Sequence, residues 1–382
     1  MTRGQTIEMK DTTLFPTPHE YLQAISPHHP VHFFCPRQLS ATVTAFQRGF
    51  PGMVTFAVKA NPMTRVLRHL IKSGLPGFDV ASVAEITAIC RETTTAALHY
   101  NNPVRDPVEI AAALRAGVRS FAVDAPEELA KLRAAGAPAT TEVSVRFKLP
   151  MRAAAYDFGT KFGAPPAMAE DLLRAVATAG FRPSLTFHTG TQCTDPGAFA
   201  RHIATAARIS AQSGVVVDRL NVGGGFPSAR QGPVALDRYF QAIRDAVAAF
   251  PGPGPDLLCE PGRGMVADAF ALAARVKARR GVATVFLNDG IYGSLSEFPS
   301  IGLPRYQVLS SDGPARTGPA QDFRIFGPTC DALDVLPGVS PLPVDVADGD
   351  YILFQSMGAY VAGVSTRFNG YGDRQQVTVT RL

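Results

Sequence analysis

The chain has 382 residues, a net charge of +5 and 46% apolar residues, which suits one large or two moderate globular domains around a sizeable core. The charge is mild and no long Lys/Arg run is present, so a nucleic-acid partner is not expected. No apolar run approaches the roughly 20 residues of a membrane span.

Residues 1–10 are polar and carry no apolar signal segment, so a cytoplasmic protein is expected. Five cysteines (Cys35, Cys90, Cys193, Cys259 and Cys330) are scattered without Cys-x-x-Cys pairs or zinc-ligand spacing, which fits a reducing compartment and no metal site. Residues 1–30 read as irregular, with Pro16, Pro18, Pro27 and Pro30. A short strand is expected at 31–34 and a helix at 37–49. A rhythm then begins: a short apolar run, a turn, a helical pattern. The apolar runs fall at 55–59, 78–81, 97–100, 120–124, 143–148, 185–188, 220–223 and 257–260. Between them, 107–116, 126–135, 168–179, 199–213 and 236–250 are rich in Ala, Leu and Arg at helical spacing. Strands alternating with helices predict a parallel sheet, and eight such units predict a closed (β/α)8 barrel over 35–265. After about residue 266 the pattern changes. Strands are expected at 282–287, 307–309, 322–326 and 351–354, joined by Gly/Pro turns and a loop at 311–321. This predicts a mostly β C-terminal domain, 266–382, with part of an N-terminal segment, 1–34, joining it.

Chemistry in such barrels sits at the C-terminal ends of the strands. In Phe56-Ala57-Val58-Lys59-Ala60-Asn61-Pro62, an apolar strand ends on a lysine, and Pro62 turns the chain away. A lysine there either snorkels outward or loses its charge by desolvation and forms a Schiff base with a carbonyl. The following strand ends carry Asp79, Ser82 and Glu85, then His99 to Asn102, then Arg146 and Lys148, then His188. Gly223-Gly224-Gly225-Phe226-Pro227 is either a tight turn or an anion cradle of backbone N–H groups. Glu260-Pro261-Gly262-Arg263-Gly264 lies one unit later. Phosphate sites in barrels recur after strands seven and eight, where these two motifs fall. Glu260 either pairs with Arg263 or holds the protonated ring nitrogen of pyridoxal phosphate. His188 is a satisfied core histidine or a stacking partner for a flat ring, and Thr191 could donate to a phosphate. In the β domain, Gly327-Pro328-Thr329-Cys330-Asp331 is a surface turn or a proton donor beside an amine-binding carboxylate. Tyr360 is a core tyrosine or a phosphate ligand.

These motifs, with Asn288-Asp289-Gly290-Ile291-Tyr292-Gly293-Ser294 and Gly358-Ala359-Tyr360, occur in one order across 55–370. In that order they resemble the fold-type III, pyridoxal-phosphate-dependent amino acid decarboxylases, and within them the ornithine (lysine/ornithine) decarboxylase branch. The resemblance implies an alanine-racemase-like barrel with pyridoxal 5'-phosphate as cofactor. Lys59 would carry it as a Schiff base, Glu260 would pair with the pyridine nitrogen, and His188 would stack on the ring. Gly223, Gly224, Gly225, Gly262, Arg263, Thr191 and Tyr360 would bind the phosphate, with Asp79, Glu85 and Arg146 around the lysine and ring.

The resemblance also implies a head-to-tail homodimer with shared sites, so Cys330 and Asp331 would come from the partner subunit. Cys330 would protonate the α-carbon after CO2 leaves, and Asp331 would bind the distal amine. Cys330-Asp331-Ala332 is similar to the diamine-forming branch, whereas diaminopimelate enzymes usually carry Cys-Glu-Ser. Ornithine enzymes usually hold a second aspartate beyond the Tyr-Gly-Ser motif. Here 294–307 contains only Glu297, which either takes that role or leaves Asp331 to act alone, with Tyr292 beside it. The expected activity is decarboxylation of L-ornithine to putrescine, with L-lysine as a possible second substrate. The rivals are diaminopimelate decarboxylation and a non-catalytic homologue that binds regulators.

Overall fold

Pro18 begins a helix instead of breaking one. The computed structural model describes residues 14–150, 159–248, 250, 252–311 and 313–382, so the polar residues 1–10 lie outside the described residues. Within 1–30, expected to be irregular, Pro18–Ile25 is helical, with Thr17 accepting a hydrogen bond from the Glu20 N–H. Proline at the first helical position has no donor to lose, and Thr17 supplies the cap. Strand β1 (Val31–Phe34) follows, then a helix at Pro36–Gly49.

Eight strands close the barrel: β2 (Met53–Ala57), β3 (Gly77–Val80), β4 (Ala97–Tyr100), β5 (Ser120–Val123), β6 (Glu142–Arg146), β7 (Arg182–Thr186), β8 (Arg219–Asn221) and β9 (Asp256–Cys259). They pair in parallel in chain order, and β9 returns to β2 through Met53 opposite Leu258 and Val54 opposite Cys259. Helices such as Pro107–Arg115, Pro126–Ala134, Pro166–Thr178, Gly197–Ser213 and Leu236–Val247 cover the outside. Strand alternation sends Val54, Phe56, Phe78, Val80, Phe121, Val143 and Leu185 outward into the core beneath those helices. The opposite face carries Thr55, Asp79, His99, Ser120, Ser144, Ser184 and Asn221, all buried. The barrel interior is therefore polar, where branched apolar side chains are the rule. Several of its groups pair: Glu142 accepts from Ser184 Oγ at 3.1 Å and Arg219 Nη1 at 2.8 Å, and His99 Nδ1 shares a hydrogen bond with Ser120 Oγ at 3.0 Å.

The C-terminal sheet is built on β10 (Phe270–Arg280), a strand the sequence reading does not anticipate. Its Ala/Arg-rich composition lacks a strand signature, and its place is set by its neighbours. The other strands are β11 (Thr284–Leu287), β12 (Tyr306–Leu309), β13 (Ala320–Phe326), β14 (Ser340–Pro343), β15 (Tyr351–Phe354) and β16 (Gln375–Thr378). They run in the order β12-β15-β10-β11-β13-β14, with β1 pairing β10 and β16. Val282, expected in a strand, lies in the turn before β11 and is 78% exposed. Leu272, Val276, Leu287, Phe323, Ile352 and Phe354 form this sheet's own core. Two contacts bring it to the barrel mouth: Asn61 Nδ2 donates to the Gly358 carbonyl at 2.7 Å, and the Tyr360 N–H donates to the Ala60 carbonyl at 2.6 Å. No helix among the described residues is long and apolar enough to cross a membrane.

Candidate active site

The strand that leads to Lys59 stops two residues short of it. After Ala57 the chain makes a single 3-10 turn over Val58–Ala60, closed by the Asn61 N–H on the Val58 carbonyl at 3.0 Å, and Pro62 prevents continuation. The turn aims Lys59 into a cleft at the C-terminal mouth of the barrel. Burial pulls the Lys59 ammonium down, but Tyr360, Asp79 and Glu260 outweigh it and hold its pKa above the ordinary value. The surrounding acids thus oppose the desolvation that the sequence reading invokes for this lysine.

Glu260 follows β9 and is 8% exposed. Its Oε1 accepts from Asn101 Nδ2 at 2.9 Å and from Asn221 Nδ2. Burial, and then the Asp79 carboxyl hydrogen-bonded to it, raise its pKa well above the usual range, while Lys59 and Asn221 act the other way. Arg146, at the end of β6, faces the same acids, and burial pulls its pKa down against Glu260, Asp124 and Asp79. Glu85 closes a helix start: its Oε2 accepts from the Ala81 N–H at 2.7 Å, and its own N–H donates to Ser82 Oγ at 3.3 Å.

The glycine run makes the opposite wall. Gly223 and Gly225 sit at φ +69° and +88°, a region that favours glycine. The Gly223 N–H is committed to Asn221 Oδ1 at 2.8 Å, so Gly224 and Gly225 are the glycines that line the cleft. A Cβ on Gly224 would stand 2.9 Å from the Glu260 carbonyl and 3.1 Å from His188 Nε2. His188 Nδ1 accepts from the Gly190 N–H at 2.9 Å, and burial holds the ring neutral, its pKa well below the ordinary value. Thr191 and Gln192 border the cleft, and Gln192 Oε1 accepts from the Ser228 N–H at 2.7 Å, which pins the loop after the glycines. Gly262 keeps the wall thin, since a Cβ there would meet Ala60 Cβ at 3.0 Å. Arg263 stands 5.0 Å from the Tyr360 ring centroid.

Glu297 forms a two-pronged pair with Arg263, at 2.8 Å to Nη1 and 2.5 Å to Nη2. The carboxylate considered for a substrate amine is thus engaged by a guanidinium.

Cys330, Asp331 and Tyr292 do not line this cleft. Cys330 is exposed, with its N–H on Asn369 Oδ1 at 3.1 Å. Asp331 accepts from the Leu333 N–H at 2.9 Å and from the Tyr292 hydroxyl at 2.5 Å, and the two bonds lower its pKa.

Lys59, Glu260, His188 and the Gly224–Gly225 backbone line one cleft. An amine at one side, an acid across from it and a glycine cradle with an arginine fit a flat pyridoxal ring with an anionic tail. The family model for the pyridoxal-dependent decarboxylases, pyridoxal binding domain, matches residues 36–267. The chain belongs to that family. The cofactor of this decarboxylase is pyridoxal 5'-phosphate. It is 33% identical over 329 residues to the lysine/ornithine decarboxylase of Selenomonas ruminantium, covering 83% of this chain and 81% of that protein. It is 29% identical to antizyme inhibitor 2 of Xenopus laevis, covering 85% of this chain and 75% of that protein. The crystal structure of a lysine/ornithine decarboxylase from Vibrio vulnificus, complexed with cadaverine, superposes with a TM-score of 0.82 at 26% identity, covering 94% of this chain and 98% of that one.

Two residues that border or support the decarboxylase site escape the sequence reading, Gln192 and Asn221, and Asn101 stands there at a strand end without a role. Asn221 is the last residue of β8, inside an apolar run that draws attention to its neighbours.

Proposed function

We propose that this decarboxylase removes CO2 from a basic amino acid, with L-ornithine as substrate and putrescine as product, and with L-lysine as second substrate. The observation that carries the reading is the convergence of Lys59, Glu260 and the Gly224–Gly225 cradle on one cleft, together with an ionised carboxylate, Asp331, displayed on an exposed turn. When bound, the cofactor supplies an electron sink for the carbanion that CO2 loss leaves. Lys59 would hold it through its amine. Glu260 would meet the ring nitrogen, with Asp79 and Arg146 around it. His188 would stack on the ring. The Gly224 and Gly225 backbone, Thr191, Arg263 and Tyr360 would hold the phosphate. Cys330 and Asp331 act in the cleft of a second copy, in a homodimer: the exposed thiol gives a proton to the α-carbon, and the carboxylate takes the distal ammonium. Asp331 followed by Ala332 supports a terminal amine over the zwitterionic end of diaminopimelate. Retention of Lys59, Glu260, Arg263 and Cys330 supports an enzyme over a regulatory binder. The placement is cytoplasmic, and the product would enter polyamine synthesis.

The test is CO2 release by purified protein from ornithine, lysine, arginine and diaminopimelate. Ornithine is expected to give the highest kcat/KM. Borohydride reduction should add the cofactor's mass to the peptide holding Lys59, and Lys59→Ala should abolish both signals. Release from diaminopimelate alone would overturn the substrate assignment. A protein that takes up no cofactor would overturn the enzyme.

A further inference from the structure

Glu260 has two oxygens, and two buried amides of the fold meet on the same one. Both amide donors, Asn101 Nδ2 and Asn221 Nδ2, converge on Oε1. Asn101 follows β4 and Asn221 ends β8, and both are at most 9% exposed. A carboxyl group turns easily about its last bond, so one anchored oxygen leaves the plane free. Two donors, one just after β4 and one at the end of β8, fix the plane, and the Asp79 carboxyl is hydrogen-bonded to the same group.

The Asn221 amide can stand only one way round. Its Oδ1 accepts from the Gly223 N–H at 2.8 Å while its Nδ2 faces the carboxyl of Glu260. Flipped, it would set oxygen against carboxylate and N–H against N–H. The backbone repeats the link, since the Glu260 N–H donates to the Gly223 carbonyl at 3.0 Å. One buried side chain thus connects the carboxyl of Glu260 to the start of the glycine turn.

We infer that Asn101 and Asn221 are positioning residues that hold Glu260 for the ring nitrogen, and that Asn221 also sets the distance from that acid to the phosphate turn. The inference rests on the reading that Glu260 meets the ring nitrogen. Asn101 serves only the acid. Asn221 serves both ends.

The experiment compares pyridoxal phosphate with its 1-deaza analogue, which keeps the phosphate and aldehyde but has carbon in place of the ring nitrogen. Apo-protein is titrated with each, and the dissociation constants are read from the visible absorbance. Wild type should prefer the natural cofactor. Asn101→Ala should weaken natural cofactor binding about tenfold, the usual scale for one hydrogen bond to a charged group, and leave the analogue within about twofold. Asn221→Ala should weaken both ligands. The melting temperature of apo Asn101→Ala should match wild type. If wild type does not distinguish the two ligands, the Glu260 reading itself fails. If wild type distinguishes them and Asn101→Ala does so equally well, the positioning role fails. Equal loss of both ligands in Asn101→Ala, with a lowered melting temperature, makes the asparagine structural and also overturns it.

Discussion

Replacing Glu297 by Gln tests what stands in the anion site before a phosphate arrives. The side chains of Arg263 and Glu297 are 4% and 19% exposed, and two hydrogen bonds join them. Arg230 lies close enough to feel both: burial pushes it down to about 10, with Arg263 adding to the effect and Glu297 opposing it. The change to Gln leaves two guanidiniums near each other with one carboxylate fewer. Removing one partner of a fully buried pair costs about 3–5 kcal/mol, and exposed pairs contribute about 0–1 kcal/mol. With Glu297 partly exposed and a Gln oxygen still able to accept, about 2 kcal/mol is expected for the apo-protein. A phosphate would supply the missing negative charge. The variant's deficit should therefore shrink in the holo-protein, and the cofactor should bind up to about tenfold tighter, because ~1.4 kcal/mol of recovered stability corresponds to that factor. Urea unfolding of apo- and holo-protein, with a cofactor titration, measures all three quantities. If the deficit is equal in both states, or the variant binds cofactor more weakly, Glu297 orients Arg263 for the phosphate and does not occupy its place.

The other expectations concern the shared site and acid stability. Asp331→Asn should raise KM for ornithine by at least about tenfold, as expected for loss of a charge-assisted pair, and leave the cofactor dissociation constant unchanged; equal loss of both would make Asp331 structural. Mixing inactive Lys59→Ala and Cys330→Ala proteins should restore about a quarter of wild-type activity by random pairing of subunits, and no recovery would mean that each chain completes its own site. His99 is lowered to about 4 by burial. The unfolded chain takes up that proton first, so stability is present above about pH 6.5 and falls as the pH drops toward 4. His99→Gln should remove that loss, so that between pH 6.5 and 5 wild type loses about 2 kcal/mol more than the variant in urea titrations. Parallel pH profiles would mean that His99 is already charged in the fold.

The barrel was legible because its outward faces are apolar and its helices alternate at regular intervals. Phe56, Phe78, Phe121 and Leu185 announce strands without help from the inner face. The inner face was not legible. Thr55, His99, Ser120 and Ser184 read as interruptions of a strand until closure places them around one axis and pairs them. β10 shows the opposite limit: Ala271 to Arg280 has a composition suited to a helix, and only its pairing with β1, β11 and β15 makes it a strand. The site shows a similar division. Lys59, Glu260 and the glycines stand in short motifs at strand ends. Asn101, Asn221 and the Arg263–Glu297 pair depend on residues 34 to 159 positions apart in the chain, which no local pattern reports.

The charge on Lys59 leads to a kinetic expectation. An ammonium cannot attack an aldehyde, and Tyr360, Asp79 and Glu260 hold this one charged against the pull of burial. The neutral fraction of such an amine grows about tenfold per pH unit below its pKa. Covalent capture of cofactor by the apo-protein, followed by stopped-flow absorbance, should therefore speed up about tenfold per unit between pH 7 and 9. Asp79→Asn removes one of the acids that stabilise the charge, so capture by that variant should be faster at pH 7. A rate that does not change with pH in wild type would show that the proton passes to a neighbouring carboxylate within the site as the cofactor binds. Lys59 would then act as a neutral amine despite its surroundings, and the acids around it would be the bases that make it so.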